Sequence, residues 1–184
     1  LNPLNIYFAQ FKAMRKYSSN EENPKGISIL SVVLTYFIPI ACGVVSAMLN
    51  YHLASADSLL SMLGILAGAL IAAFAQLASW REKFSEHWTK DRAHKPERWL
   101  LDAAIAHLLA GAYSSVVASL LVIVSLIVNL PTYFPAITHS ICSALIIVLG
   151  IHVVVSLLTS LPKMYAAYVQ LNHVSQLLNG QEYF

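Results

Sequence analysis

Hydrophobic and polar positions divide the chain into four long apolar runs, at 27–49, 58–80, 104–128 and 137–161, joined by short polar stretches. Each run matches or exceeds the roughly 20 helical residues needed to cross a hydrocarbon core about 30 Å thick. The pattern predicts an all-α integral membrane protein, a four-transmembrane-helix bundle that uses residues 1–184 as one membrane domain. Three less apolar segments flank the runs. Residues 1–18 open with Asn2 as a cap and Pro3 in the first turn, after which Leu4, Tyr7, Phe8, Phe11 and Met14 share one face. Asn5, Gln10, Lys12 and Lys16 fall largely off that face, so an amphipathic helix is expected on the inner leaflet or under the bundle. Residues 81–103 predict a cytoplasmic helical hairpin, with Glu86 and Lys90 at favourable spacing before a turn and Pro96 opening the next helix. Pro162 is expected to break or kink the fourth run, leaving 162–180 as a C-terminal cytoplasmic helix.

Charge adds a direction to this layout. The chain is 58% hydrophobic and 11% charged, against about 25% charged residues in ordinary soluble domains. Its eleven basic residues stand before the first run, between the second and third, and after the fourth; the other two loops have none. The positive-inside rule therefore places that side, and both termini, in the cytoplasm. Trp80, Trp88 and Trp99 lie on the same side, and Trp80 and Trp99 at least are placed to suit the interfacial belt. Cys42 and Cys142 both fall in apolar runs and read as small buried packing residues, not as a disulfide.

Within the runs, small residues recur at helical spacing. In the first crossing Pro39, Gly43 and Ala47 form one stripe, and Pro39 removes a backbone donor, predicting a kink near Thr35. In the second, Gly64, Gly68, Ala72 and Gln76 recur every four residues, broadened by Ser61, Ala75 and Ser79. Lipid is as apolar as leucine, so membrane helices associate where small residues admit close approach and polar groups then hydrogen-bond. This face is expected to be a helix-packing surface or an oligomer seam, with Gln76 bonded to a helix of the same chain or of another copy. Met164, Tyr168, Leu171, Val174 and Leu178 form an apolar face on the C-terminal helix, where Lys163 is the only basic residue. A cytoplasmic protein partner suits that face better than anionic lipid.

Candidate chemistry is sparse. Asp102, His107 and His152 are the intramembrane polar groups that stand out, and an ionisable group at such depth is a functional-site hypothesis by default. A neutral, hydrogen-bonded structural role and a proton-sensing or ion-path role are both open for His152. His87, Asp91 and His94 have zinc-compatible spacing only on an unbroken helix, and the expected turn intervenes, so no metal is assigned. The chain has no Walker A loop, H-E-x-x-H, G-x-S-x-G or dinucleotide fingerprint. No catalytic residues, no enzyme activity and no cofactors are expected, and direct nucleic-acid contact has no support because the basic residues are interleaved with acidic ones.

The four-pass layout with both ends inside, the stretch LAGALIAAFAQLASWREK at the second exit and the helical tail resemble small bacterial inner-membrane proteins of anti-phage defence loci, such as the Kiwa membrane subunits. That resemblance implies a bacterial inner (plasma) membrane location and a homo-oligomer that passes membrane disturbance to a cytoplasmic effector. The function expected is a non-enzymatic oligomeric sensing or assembly module. The alternative is an oligomeric ion channel or pore-forming effector.

Overall fold

The computed structural model describes residues 2, 4–15, 26–49, 56–88, 95–127 and 135–171. Its elements are α1 (Leu4–Lys12), α2 (Ile29–Val32), a π-helical turn (Val33–Phe37), α3 (Ile38–Met48), α4 (Ala56–Trp88), α5 (Lys95–Ile127) and α6 (Pro135–Leu171). No strand occurs among the described residues, apart from an isolated bridge between Arg15 and Ile27. The first crossing is α2, the π turn and α3 in unbroken succession. It and three further helices are long and apolar enough to span a membrane, over Ile29–Met48, Asp57–Glu82, Arg98–Leu126 and Ser140–Val169. The chain is thus a multipass membrane protein.

The helices follow one another in a row. α4 packs on α5, α5 on α6, and α6 on the first crossing, while α4 meets α6 only slightly and makes no substantial contact with the first crossing. The bundle is therefore open, and α5 is its central helix. Small residues explain why. Ala104, Ala110, Ala112, Ser114, Ser115 and Ala118 of α5 are buried, and a Cβ added at Gly111 would press on Leu70 and on Ser156, each 3.2 Å away. Close approach on both sides is what such residues permit in lipid. From α4, Leu63, Leu70 and Leu77 are fully buried seven residues apart, and Ser115 Oγ donates to the Leu63 carbonyl at 2.7 Å.

Pro39 and Gly43 pack within the chain. A Cβ at Gly43 would collide with the Val148 side chain and stand 3.1 Å from the Ala144 carbonyl, so only glycine lets α3 lie this close to α6. The expected irregularity near Thr35 is the π turn, which widens the helix just before the proline that cannot donate.

Several expectations need correction. α1 packs against α5 at the depth of the spans, not along a surface: Tyr7 Oη lies 2.8 Å from Ser114 Oγ. Ser114 is sixteen residues past Arg98, about 24 Å along the helix at 1.5 Å per residue. Its faces also divide differently: Tyr7 and Met14 turn inward and Asn5 and Lys12 outward, but Gln10 has exchanged sides with Leu4, Phe8 and Phe11. Gln10 is buried, whereas Leu4, Phe8 and Phe11 are exposed, because in a membrane the outward face is the one that should be apolar. Pro162 does not end the fourth crossing; α6 continues through it to Leu171. Cys42 is exposed, not buried, and both cysteines are free. The hairpin turn at 89–94, including Asp91 and His94, and residues 172–180, including Val174 and Leu178, lie outside the described residues.

Candidate functional site

α1 is held in the bundle by a polar network centred on Gln10. The chain turns after α1, with Ser28 N–H donating to the Met14 carbonyl at 3.0 Å, so Gln10 faces the start of the first crossing as well as α5 and α6. Its Nε2 donates to Ser156 Oγ at 3.0 Å, and its Oε1 accepts from Tyr36 Oη at 3.1 Å. The amide therefore ties α1 to α6 and to the first crossing at once, with both ends used and no exposure. Such a group is costly to strip of partners in an apolar medium.

Two histidines flank the amide. His152 Nδ1 lies 3.0 Å from the Thr35 carbonyl, and a carbonyl can only accept, so the ring hydrogen sits on Nδ1. Pro39 cannot supply an N–H to the carbonyl four residues before it, which is that of Thr35. The histidine from α6 thus satisfies the acceptor that the proline leaves short. Its Nε2 then accepts from Ser156 Oγ at 3.4 Å, and the ring stacks on Tyr36 with centroids 5.8 Å apart and planes 23° apart. The direction of hydrogen bonding is continuous: Gln10 to Ser156, Ser156 to His152, His152 to Thr35.

His107 forms the other branch. Lys163 Nζ lies 2.6 Å from His107 Nε2 and donates to the Ala13 carbonyl at 3.1 Å. One hydrogen lies between the two nitrogens. If the ammonium donates it, His107 carries its own hydrogen on Nδ1, toward Thr159 Oγ1 at 3.5 Å. If the imidazole donates it, Nδ1 is free to accept from Gln10 Nε2 at 3.4 Å. The His107 tautomer is thereby coupled to the amide that seats α1.

The structure sorts the residues singled out in the sequence. His107 and His152 are brought together through Gln10 and Ser156, whereas Asp102 stands apart. Asp102 pairs with Arg81 of α4, Oδ1 to Nε at 2.6 Å and Oδ2 to Nη2 at 3.3 Å, with both side chains about half exposed. Met164 packs inward on the core formed by Leu70, Leu77 and Leu101; Tyr168 remains exposed. Gly64, Gly68, Ala72 and Gln76 are all exposed, and nothing lies within 4 Å of a Cβ added at either glycine. At 100° per residue they centre opposite the buried Leu63, Leu70 and Leu77.

Gln10, Tyr36, Ser156 and Lys163 were missed by sequence reasoning. In the sequence Gln10 falls off the apolar face of its helix, and Lys163 reads as a topological charge and as the lone basic residue of the C-terminal helix. A usable signal was present: Tyr7, Gln10 and Met14 lie three and four apart on one stripe of α1, which is a packing face once the surrounding solvent is lipid. No family model, curated protein or solved structure matches this chain.

Proposed function

We propose that this protein is a non-enzymatic, oligomeric sensing or assembly module of a bacterial inner membrane. On this reading both termini face the cytoplasm and the C-terminal helix meets a cytoplasmic protein, in the setting of anti-phage defence. The observation that carries the proposal is the outer face of α4, where Gly64, Gly68, Ala72 and Gln76 are exposed opposite the leucine seam. The intrachain contacts of α4 use other residues, so the face with the spacing for close helix approach remains available to a second copy. Gln76 adds an amide able to bond across such a seam. Sensing falls to α1, whose outward Leu4, Phe8 and Phe11 meet lipid while its inward side rests on a few polar contacts.

The channel alternative draws less support. Its pore would need hydroxyl and imidazole groups on a shared axis, but Ser115 and Ser140 bond to neighbouring helices and Ser160 to its own, while His107 and His152 are buried. Disulfide cross-linking tests the seam in a chain with Cys42 and Cys142 replaced by serine. Ala72→Cys should give a covalent dimer in membranes, and Leu158→Cys, on the exposed side of α6, should not. Nanodisc particles containing a single chain at all concentrations would end the proposal.

A further inference from the structure

Hydrogen bonding around Gln10 runs in one direction, and Pro39 fixes it. The Thr35 carbonyl, to which Pro39 has no N–H to give, takes the Nδ1 hydrogen of His152. His152 Nε2 is then an acceptor only, so Ser156 Oγ directs its single hydrogen there. Ser156 in turn accepts from Gln10 Nε2, and Gln10 Oε1 accepts from Tyr36. The amide nitrogen carries a second hydrogen. His107 Nδ1, at 3.4 Å, is the acceptor in reach, and Gln10 is fully buried, where an unpaired donor costs free energy.

Whether His107 Nδ1 can accept depends on how many protons the ring shares with Lys163. Nζ and Nε2 are 2.6 Å apart, with one hydrogen between them. When the pair is positively charged, either the ammonium faces a neutral ring or the amine faces an imidazolium. In both forms a hydrogen occupies Nδ1. It turns toward Thr159 Oγ1, 3.5 Å away, and the second Gln10 hydrogen is left opposing it. Turning the amide over gives no relief, because Ser156 would then donate to Gln10 Oε1 and His152 Nε2 would lose its donor. When the pair has lost one proton, the ring donates from Nε2 to the amine and Nδ1 is free for Gln10. The neutral amine still donates to the Ala13 carbonyl at 3.1 Å. A charged donor binds that carbonyl more strongly, but α1 brings no carboxylate with it. Among the described residues Lys163 has no ion pair, and Asp102 is taken by Arg81. Covering an ammonium without a counter-charge costs more than one charge-assisted bond returns.

We propose that Lys163 and His107 form a proton-operated latch for α1: the helix seats with every Gln10 hydrogen bonded once the pair has given up one proton, and loosens when the proton returns. The inference rests on the reading of α1 as the sensing element and does not involve the α4 seam. The other titratable groups facing the pair are committed elsewhere. Both His152 nitrogens are bonded, Tyr7 pairs with Ser114, Tyr36 with Gln10, and Asp102 of α5 with Arg81 of α4. Lys12 and Arg15, at the end of α1, are exposed. One unmet hydrogen bond sets the size of the effect, about fivefold in the ratio of docked to undocked α1.

The test uses the full chain in nanodiscs, with Cys42 and Cys142 replaced by serine and Ala13→Cys as the reporter, since Ala13 is buried against Ala103 and Ala106. A methanethiosulfonate reagent labels it across the span of ordinary imidazole and amine ionisation, about pH 6.5 to 10.4. Lys12→Cys, exposed on the same helix, corrects for thiolate formation. Corrected labelling should be about fivefold faster at the acid end. Lys163→Arg keeps its charge at every pH and should label at the acid-end rate throughout. Lys163→Met should abolish the pH dependence, and so should Gln10→Ala, which removes the amide that reads the ring. A flat profile in the parent, slow alkaline labelling in Lys163→Arg, or a profile that survives Lys163→Met, as titration of His152 would give, would each overturn the latch. The labelling reads α1 alone, so a failed Ala72 cross-link and a failed latch are separate results.

Discussion

Replacing Gln10 by alanine removes the only side chain that bonds α6 and the first crossing together from α1. Two hydrogen bonds that do not depend on the His107 tautomer are lost, to Ser156 at 3.0 Å and from Tyr36 at 3.1 Å. Hydrogen bonds contribute about 1 kcal/mol each in water-soluble proteins and average about 0.6 kcal/mol between membrane helices. The Tyr36 hydroxyl is also left without its acceptor, so the docked state of α1 should lose about 2 kcal/mol in all. At 1.4 kcal/mol per factor of ten, the undocked population should rise about thirtyfold. Ala13 provides the reporter: it is 7% exposed and packed with Ala103 and Ala106 beside Trp99. In a chain with Cys42 and Cys142 replaced by serine, Ala13→Cys should react with a maleimide at a rate set by α1 opening. Gln10→Ala should accelerate that labelling about thirtyfold, and Asn5→Ala, at an exposed position of α1, should leave it unchanged. Labelling within twofold of the parent rate in Gln10→Ala would refute the view that this amide seats the helix.

Other substitutions probe the remaining joints. Gly43→Ala should destabilise the bundle by about 1–3 kcal/mol through overpacking on Val148 and Ala144, whereas Gly64→Ala should leave the melting temperature of the isolated chain unchanged, read as thermal melts in nanodiscs. His152→Leu strands the buried Thr35 carbonyl and should cost about 1–3 kcal/mol. The cost should shrink by about 1 kcal/mol when Pro39→Ala first restores a backbone donor, and additivity of the two changes in a double-mutant cycle would contradict the compensation described here. Asp102→Asn breaks a half-exposed pair with Arg81 and should cost less than about 1 kcal/mol, with the difference fading as salt is raised during the melt.

The sequence by itself determined the solvent and the number of crossings. Four runs of this length and polarity have no stable alternative to spanning helices, because backbone groups in lipid must be satisfied within each helix. It also determined the close joint at Gly43 and the irregular backbone before Pro39, since each follows from the local covalent chemistry of one residue. Which small-residue stripe would pack inside the chain was a tertiary matter. Gly64 and Gly68 have the more conspicuous spacing, yet α5 became the central helix through Ala104, Ala112, Gly111 and Ala118, because burying a helix on two sides requires small residues around more than one stripe. The direction of α1 was equally undecided by local pattern. Its amphipathic face reads one way against water and the other way against lipid, and only the partners Ser156, Tyr36 and Ser114, drawn from three other helices, fix Tyr7 and Gln10 on the inside. The pairing of Lys163 with His107 joins residues 56 positions apart, a contact made by helix packing that no spacing within either segment encodes.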